Sequence, residues 1–230
     1  NTYGGGGLND AFLVKLNATT GARIWATYCG GAGDDYGAGV ATDASNNVYM
    51  GGQASSAAGI ASGGFQNTLV GGGMNLSDAF LVKFNSAGAR QWGTYYGSTG
   101  DEEFCDVAID AAGIIFLAGD TYNPGSGLAS GGFQNSMTGS ENEFLAMFNT
   151  GGNLICATYY GQNHDEKGSV AVDGSGNVYL AGYTNSAAGI AFGGFQNTYG
   201  GGTDDAYLVK FAACTPPLTV EFISFTATCE

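Results

Sequence analysis

A block of about 65 residues recurs along the chain, and such fixed-period self-similarity restricts the fold to one supersecondary unit packed against copies of itself. The clearest landmark is Gly-Gly-Phe-Gln-Asn, at Gly63–Asn67, Gly131–Asn135 and Gly193–Asn197. A second landmark keeps the same beat: Asp10–Asn17, Asp78–Asn85, Glu143–Asn149 and Asp205–Phe211, each built on Ala-Phe-Leu-Val-Lys or a close variant. Between the landmarks lie short runs of β-branched and aromatic residues punctuated by turn residues, and no helical period is present.

Four such runs fall in each copy. In the second, Val40–Asp43 and Val48–Gly52 flank one tight turn, and Ala79–Asn85 and Arg90–Tyr96 flank Ser-Ala-Gly, giving two hairpins. The pattern continues with Val107–Asp110, Ile114–Gly119, Phe144–Asn149 and Leu154–Tyr160, then Val170–Asp173, Val178–Gly182 and Ala206–Phe211. Four antiparallel strands per copy predict an all-β protein, a β-propeller of four-stranded blades, with about three and a half repeats in this chain. We label the strands of a blade A to D from the axis outward. Strand A is expected to be short and rich in Val, Ala and Gly. The bulky Trp25, Trp92, Tyr28, Tyr95, Tyr96, Tyr159 and Tyr160 fall on strand D, where neighbouring blades diverge and more volume must be filled.

The repeat unit resembles the seven-bladed beta-propeller repeat (SBBP) family, over about residues 1–212. The resemblance rests on Asp-Asp-Tyr-Gly, on Val170-Ala-Val-Asp-Gly-Ser-Gly-Asn-Val-Tyr-Leu-Ala-Gly-Tyr-Thr-Asn-Ser186, on Gly193–Gly202 and on Asp205–Phe211. It implies a propeller in a secreted or surface-attached bacterial protein without an assigned enzymatic activity. The tail, Pro217–Glu230, is similar to the opening strand of β-sandwich modules in exported proteins of the Bacteroidota, which commonly end in a type IX secretion sorting domain. The expected organisation is therefore a propeller over 1–212, with a partial blade at 1–30, blades at about 36–97 and 104–161, and an incomplete blade at about 168–212. Residues 213–230 follow as linker and first strand of a further domain. Asn1-Thr-Tyr-Gly-Gly-Gly matches Asn197–Gly202, the middle of a repeat, so the natural start is expected upstream and the propeller is expected to be larger. A compact ring of about four blades closed by Val220–Thr226 is the alternative.

Composition narrows the partners. With 20 acidic against 6 basic residues, the formal net charge of −14 repels phosphate backbones and anionic headgroups, which argues against nucleic acid. No apolar run approaches the roughly 20 residues that cross a bilayer. Only 11% of residues are charged while Gly, Ser, Thr, Asn and Tyr abound, a balance that points to an extracellular or cell-surface location. Cys29, Cys105 and Cys156 each occupy a place that other copies fill differently and read as small buried fillers. Cys214 and Cys229 bracket the tail, and the odd count of five leaves one thiol unpaired or paired elsewhere.

Candidate functional residues cluster in two kinds of connection. The B-to-C connections, about 55–77, 122–140 and 185–203, are long, and Phe65, Phe133 and Phe195 read as anchors that plug them onto the blades. The D-to-A connections are acidic in every copy: Asp34 and Asp35, Asp101 and Glu102, Asp165 and Glu166. Their oxygens are candidate calcium ligands at the mouth of a channel, although no copy carries the alternating Asp-x-Asp-x-Asp-Gly loop, and turn capping with a solvated acidic rim is the favoured reading. Asp43, Asp110 and Asp173 are expected to bond their own turns. The single histidine, His164, stands beside Asp165 and Glu166 in a D-to-A connection and reads as a solvated loop residue, since base catalysis also requires a nucleophile and an orienting partner at hydrogen-bond distance, and no nucleophile elbow, zinc-protease or phosphate-loop motif occurs.

No catalytic residue, metal site or cofactor beyond calcium is thus indicated, and an enzyme is not expected. The leading expectation is a non-catalytic module acting in adhesion, protein–protein interaction or surface assembly, with other surface proteins or glycans as partners. Carbohydrate binding or cleavage is one alternative, given the acidic mouth; a structural subunit of a larger secretion or surface complex is another.

Overall fold

A computed structural model describes residues 9–71, 76–122, 127–162 and 167–211. The strands fall into four antiparallel sheets in simple nearest-neighbour order. Sheet 1 holds β1 (Ala11–Leu16) and β2 (Arg23–Cys29); sheet 2 holds β3 (Asp35–Thr42), β4 (Val48–Ala54), β5 (Asp78–Phe84) and β6 (Arg90–Tyr96). Sheet 3 holds β7 (Asp101–Ile109), β8 (Ile115–Tyr122), β9 (Glu141–Phe148) and β10 (Leu154–Tyr160); sheet 4 holds β11 (Lys167–Val172), β12 (Val178–Thr184) and β13 (Asp205–Phe211). The sheets are the expected blades, with β1 and β2 as strands C and D and β11 to β13 as A to C. Among the described residues no helix is long and apolar enough to cross a membrane.

Strand D matches the expected bounds: β6 and β10 span Arg90–Tyr96 and Leu154–Tyr160. Strand A is longer than expected. Bulges between Gly37 and Gly39 and between Glu103 and Asp106 break the alternation, and upstream of each bulge pairing resumes as far as Asp35 and Asp101.

Sheets 2 and 3 each bury one face against the sheet before and the other against the sheet after, and sheets 1 and 4 each bury one face against their neighbour. Leu13 and Cys29 of sheet 1 meet Phe80, Val82 and Phe84 of sheet 2; Tyr49, Leu81 and Trp92 meet Phe144, Ala146 and Phe148; Leu145, Met147 and Tyr160 meet Tyr207, Val209 and Phe211. The same three positions of strand C therefore recur in each seam, which is why the Ala-Phe-Leu-Val-Lys landmark repeats. Cys29, Cys105 and Cys156 are buried free thiols within these seams, and burial pushes the Cys29 thiol up to about 12. At the inner edge, a carboxylate oxygen of Asp106 on β7 accepts the Val170 N–H of β11 at 3.1 Å.

Tryptophans latch the outer part of two seams. Trp25 Nε1 donates to Ser86 O (3.1 Å) and Trp92 Nε1 to Thr150 O (3.0 Å), each reaching the C-to-D turn of the following sheet. Lys15 Nζ and Lys83 Nζ bond the same two carbonyls at 3.3 Å. In sheet 3 the cross-strand Lys–Trp pair is replaced by Met147 and Cys156, whose sulfurs lie 3.3 Å apart. The turns themselves are closed by short polar side chains: Asn85 Oδ1 accepts the N–H groups of Ala87 and Ala89, and Asp173 Oδ1 those of Ser175 and Asn177. Asp43 and Asp110 act alike, as the sequence led us to expect. The Asp173 carboxyl is held down to about 2, chiefly by the Asn177 amide.

Candidate functional site: the outer loops and the acidic strand ends

In sheets 2 and 3 the long B-to-C loops fold back along strand D. Ser62 and Gly63 bridge to Gly93, and Gln66 to Tyr95; in sheet 3, Ser130 and Gly131 bridge to Ala157, and Gln134 to Tyr159. Glycine makes this approach feasible. Gly63, Gly131 and Gly193 have φ of 75, 73 and 70°, and a Cβ on Gly64 would lie 2.6 Å from Thr94 Cβ and 2.7 Å from Gly93 O.

A polar clip then fixes each loop to the start of strand C. Asp78 accepts bonds from Gln66 Nε2 (2.8 Å), Val70 N (2.9 Å) and Gly71 N (2.7 Å). Asn142 takes the same place in sheet 3, accepting from Thr138 N (2.8 Å) and Gln134 Nε2 (3.4 Å), and Asp205 accepts from Gly200 N in sheet 4. In sheet 2 the glutamine of one landmark and the aspartate of the other are thus two halves of one device, and in sheet 3 Asn142 stands in for the aspartate. The asparagine closes the tip: Asn67, Asn135 and Asn197 Nδ2 each donate to the glycine carbonyl three residues back, at 3.0 Å.

The phenylalanines between these residues are not plugs. Phe65, Phe133 and Phe195 are 51, 47 and 86% exposed, because the glycine approach, the glutamine clip and the buried Ile60, Leu128 and Ile190 already hold the loop, leaving the aromatic ring outside. Phe65 instead borders a groove of about 410 Å³ between adjacent loops, with Val70, Leu128 and Leu154, and Phe133 lies 6.4 Å from the Tyr160 ring.

The acidic residues behave otherwise than a solvated rim. Asp34 accepts the Asn9 N–H (2.9 Å) and Asp101 the Ser77 N–H and hydroxyl (2.8 and 2.7 Å), tying each D-to-A junction to the start of the preceding strand C. Asp35 and Glu102 are buried in the first turns of strand A. Asp35 accepts the Gly31 N–H and the Ser56 hydroxyl (2.8 and 2.6 Å), and Glu102 accepts Ser98 N (2.9 Å) and Thr121 Oγ1 (2.8 Å). Burial raises both carboxyls, Glu102 to about 7, against the opposing pull of these bonds. Among the described residues no three His, Cys, Asp or Glu side chains gather in a way that could hold a metal ion. Asp165, Glu166 and His164 lie outside the described residues, as does the tail at 213–230 with Cys214 and Cys229.

Sequence reasoning missed one symmetry-breaking feature. In sheet 3, Glu103 pairs with Asp120 and Asp120 with Glu143, three carboxylates in a row across β7, β8 and β9. Asp120 and Glu143 are fully buried, and Tyr207 donates its hydroxyl to Glu143 across the seam. Sheet 2 has Tyr36, Gln53 and Ala79 in the corresponding row, so laying the copies side by side would have exposed the difference.

Two stretches match the family model of the beta-propeller repeat, SBBP: residues 24–57 and 157–188. Each runs from strand D of one sheet through strands A and B of the next, so the matched unit spans a seam. No curated protein gives a match. Sheet order and repeat match together define the class: an all-β fold of antiparallel propeller blades, with two stretches similar to the beta-propeller repeat.

Proposed function

We propose that the chain is a non-catalytic interaction module of a secreted or cell-surface bacterial protein, serving adhesion, protein–protein contact or surface assembly. One observation carries the reading: three phenylalanines recur at one place in successive blades, exposed on loop tips held rigid by glycine, glutamine and asparagine. Exposed aromatic side chains on rigid supports supply contact area at low entropic cost. Asp34, Asp35, Asp101 and Glu102, by contrast, are occupied in holding strand ends. Binding of the fluorescently labelled chain to intact bacterial cells is the test. Changing Phe65, Phe133 and Phe195 together to Ser is expected to remove most of that binding with the unfolding midpoint unchanged; undiminished binding overturns the reading.

Carbohydrate cleavage is a second reading, drawn from the carboxylate row in sheet 3. Release of reducing sugar from a polysaccharide, lost in Asp120→Asn and Glu143→Gln, would establish it in place of the first. A structural subunit of a larger complex would instead copurify with partners in fixed stoichiometry.

A further inference from the structure

Two stretches of the chain read Asn-x-Ser/Thr with a residue other than proline in the middle: Asn17-Ala18-Thr19 and Asn75-Leu76-Ser77. That spacing sets a hydroxyl two residues after a side-chain amide, the pattern read when an oligosaccharide is transferred to asparagine, and it is productive only on an accessible surface. The fold treats the two stretches in opposite ways.

Asn17 opens the C-to-D turn of sheet 1, between β1 and β2. Its Oδ1 accepts the N–H groups of Thr19 (3.0 Å) and Thr20 (2.9 Å), the turn that short polar side chains favour at such places. Both lone pairs of the amide oxygen are thus taken, while the nitrogen, Nδ2, has no partner among the described residues. The Thr19 hydroxyl is likewise unbonded among them, whereas that of Thr20 accepts the Ala22 N–H at 3.3 Å. Asn17, Ala18, Thr19 and Thr20 are all exposed. The nitrogen that takes a sugar and the hydroxyl that a transferase reads are therefore open together. The base of the turn is fixed: Asn17 N donates to Ala22 O and Gly21 N to Asn17 O, both at 2.8 Å.

This access does not hinge on what adjoins sheet 1. In sheets 2 and 3 the tryptophan of the preceding sheet latches the same turn through the carbonyl of its second residue, Ser86 or Thr150. That residue and the third, Ala87 or Gly151, nevertheless stay exposed. Those turns read Asn85-Ser-Ala and Asn149-Thr-Gly and lack the hydroxyl at the third place, so of the three only the first carries the pattern.

Asn75 lies outside the described residues, but the hydroxyl of its stretch does not. Ser77 is 5% exposed and donates its hydroxyl to Asp101 at 2.7 Å, while its N–H bonds the same carboxylate at 2.8 Å. Ser77 O in turn accepts the Glu102 N–H at 2.9 Å. Reaching that hydroxyl means opening the tie between strand C of sheet 2 and strand A of sheet 3.

We propose that Asn17 is an acceptor for an N-linked oligosaccharide supplied by a polyprenyl-diphosphate carrier, and that folding closes the Asn75 stretch to the same transferase. Modification in the cell rests on the exported location proposed above; acceptor competence does not, being set by the turn. In the transfer Asn17 Nδ2 attacks the anomeric carbon, and the bond from that carbon to the phosphate oxygen breaks as the bond to Nδ2 forms. The polyprenyl diphosphate leaves with the bonding electrons, and one Nδ2 proton passes to a base of the transferase. Oδ1 still accepts its two turn N–H groups in the product, so the turn survives. The phenylalanine row is left clear: Phe65 N donates to Gly152 O in the C-to-D turn of sheet 3, two sheets away from Asn17.

The test is intact-mass measurement and peptide mapping of the folded 230-residue chain after incubation with a purified oligosaccharyltransferase that accepts Asn-x-Ser/Thr and its polyprenyl-diphosphate oligosaccharide. A single addition at Asn17 is expected. Thr19→Ala should lower it about tenfold or more and Thr19→Ser should retain it. Both variants keep the turn, whose bonds use backbone N–H groups, and an unchanged unfolding midpoint verifies this. Synthetic peptides of residues 13–22 and 71–80 are both expected to accept the sugar. No addition to the folded chain while the 13–22 peptide is modified, addition that survives Thr19→Ala, or addition at Asn75 in the folded chain overturns the proposal. A 71–80 peptide that takes no sugar overturns its second half, since folding would then not be what closes that stretch. Cell binding through the phenylalanines is read in a separate assay, so either reading can fail alone.

Discussion

Sheets 3 and 4 carry the same loop, the same clip position and the same strand C, yet only sheet 3 has a strand D among the described residues. The loop tips are nevertheless alike: Gly132 N donates to Asn135 Oδ1 at 3.1 Å and Gly194 N to Asn197 Oδ1 at 2.9 Å, and the return bonds are both 3.0 Å. What changes is burial. Phe195 is 86% exposed against 47% for Phe133. The loop tip is therefore shaped by its own short-range bonds, whereas in sheet 3 strand D adds apolar cover around the ring.

Four measurements would break or sharpen this contrast. Tyr159→Ala empties the seat in sheet 3 and makes it resemble sheet 4; removing so buried an aromatic should cost about 3–5 kcal/mol in urea unfolding. Glu102 comes next. Burial lifts its carboxyl from 4.5 to about 7, so the folded chain keeps a proton that the unfolded chain releases. Its contribution is fully present below about pH 4.5 and lost as pH rises through about 7, a fall of about 3 kcal/mol that Glu102→Gln should flatten in urea midpoints across that range. Gly64→Ala, forced against Thr94 and Gly93, should cost about 1–2 kcal/mol by thermal unfolding, whereas Gly194→Ala, with open space around it, should cost almost nothing. Smallest of all, Phe195→Ala should shift stability by less than about 0.5 kcal/mol, as exposed sites do.

The repeat and the strand pattern made most of the fold legible. Arg90–Tyr96 and Leu154–Tyr160 were readable as strands because β-branched and aromatic residues fill them between clear turns. Asp35 and Asp101 were misplaced into connections because a bulge shifts the alternation and hides the pairing upstream of it. The phenylalanines misled for a different reason: a large apolar side chain ordinarily signals burial, but here a glycine backbone and a glutamine amide do the anchoring. Nothing in composition distinguishes a buried Asp35 from a solvated one; only its donors, Gly31 and Ser56, do so. The cysteines were legible, since each departs from its column and all three described ones are buried.

The two indole latches carry an optical consequence. The chain has two tryptophans, and each lies across a different junction, Trp25 between sheets 1 and 2 and Trp92 between sheets 2 and 3. With one of them replaced by phenylalanine, ordinary tryptophan emission becomes a gauge of a single junction, red-shifting as that junction wets. The third junction, where the buried Cys156 stands in the tryptophan column, is dark in this assay.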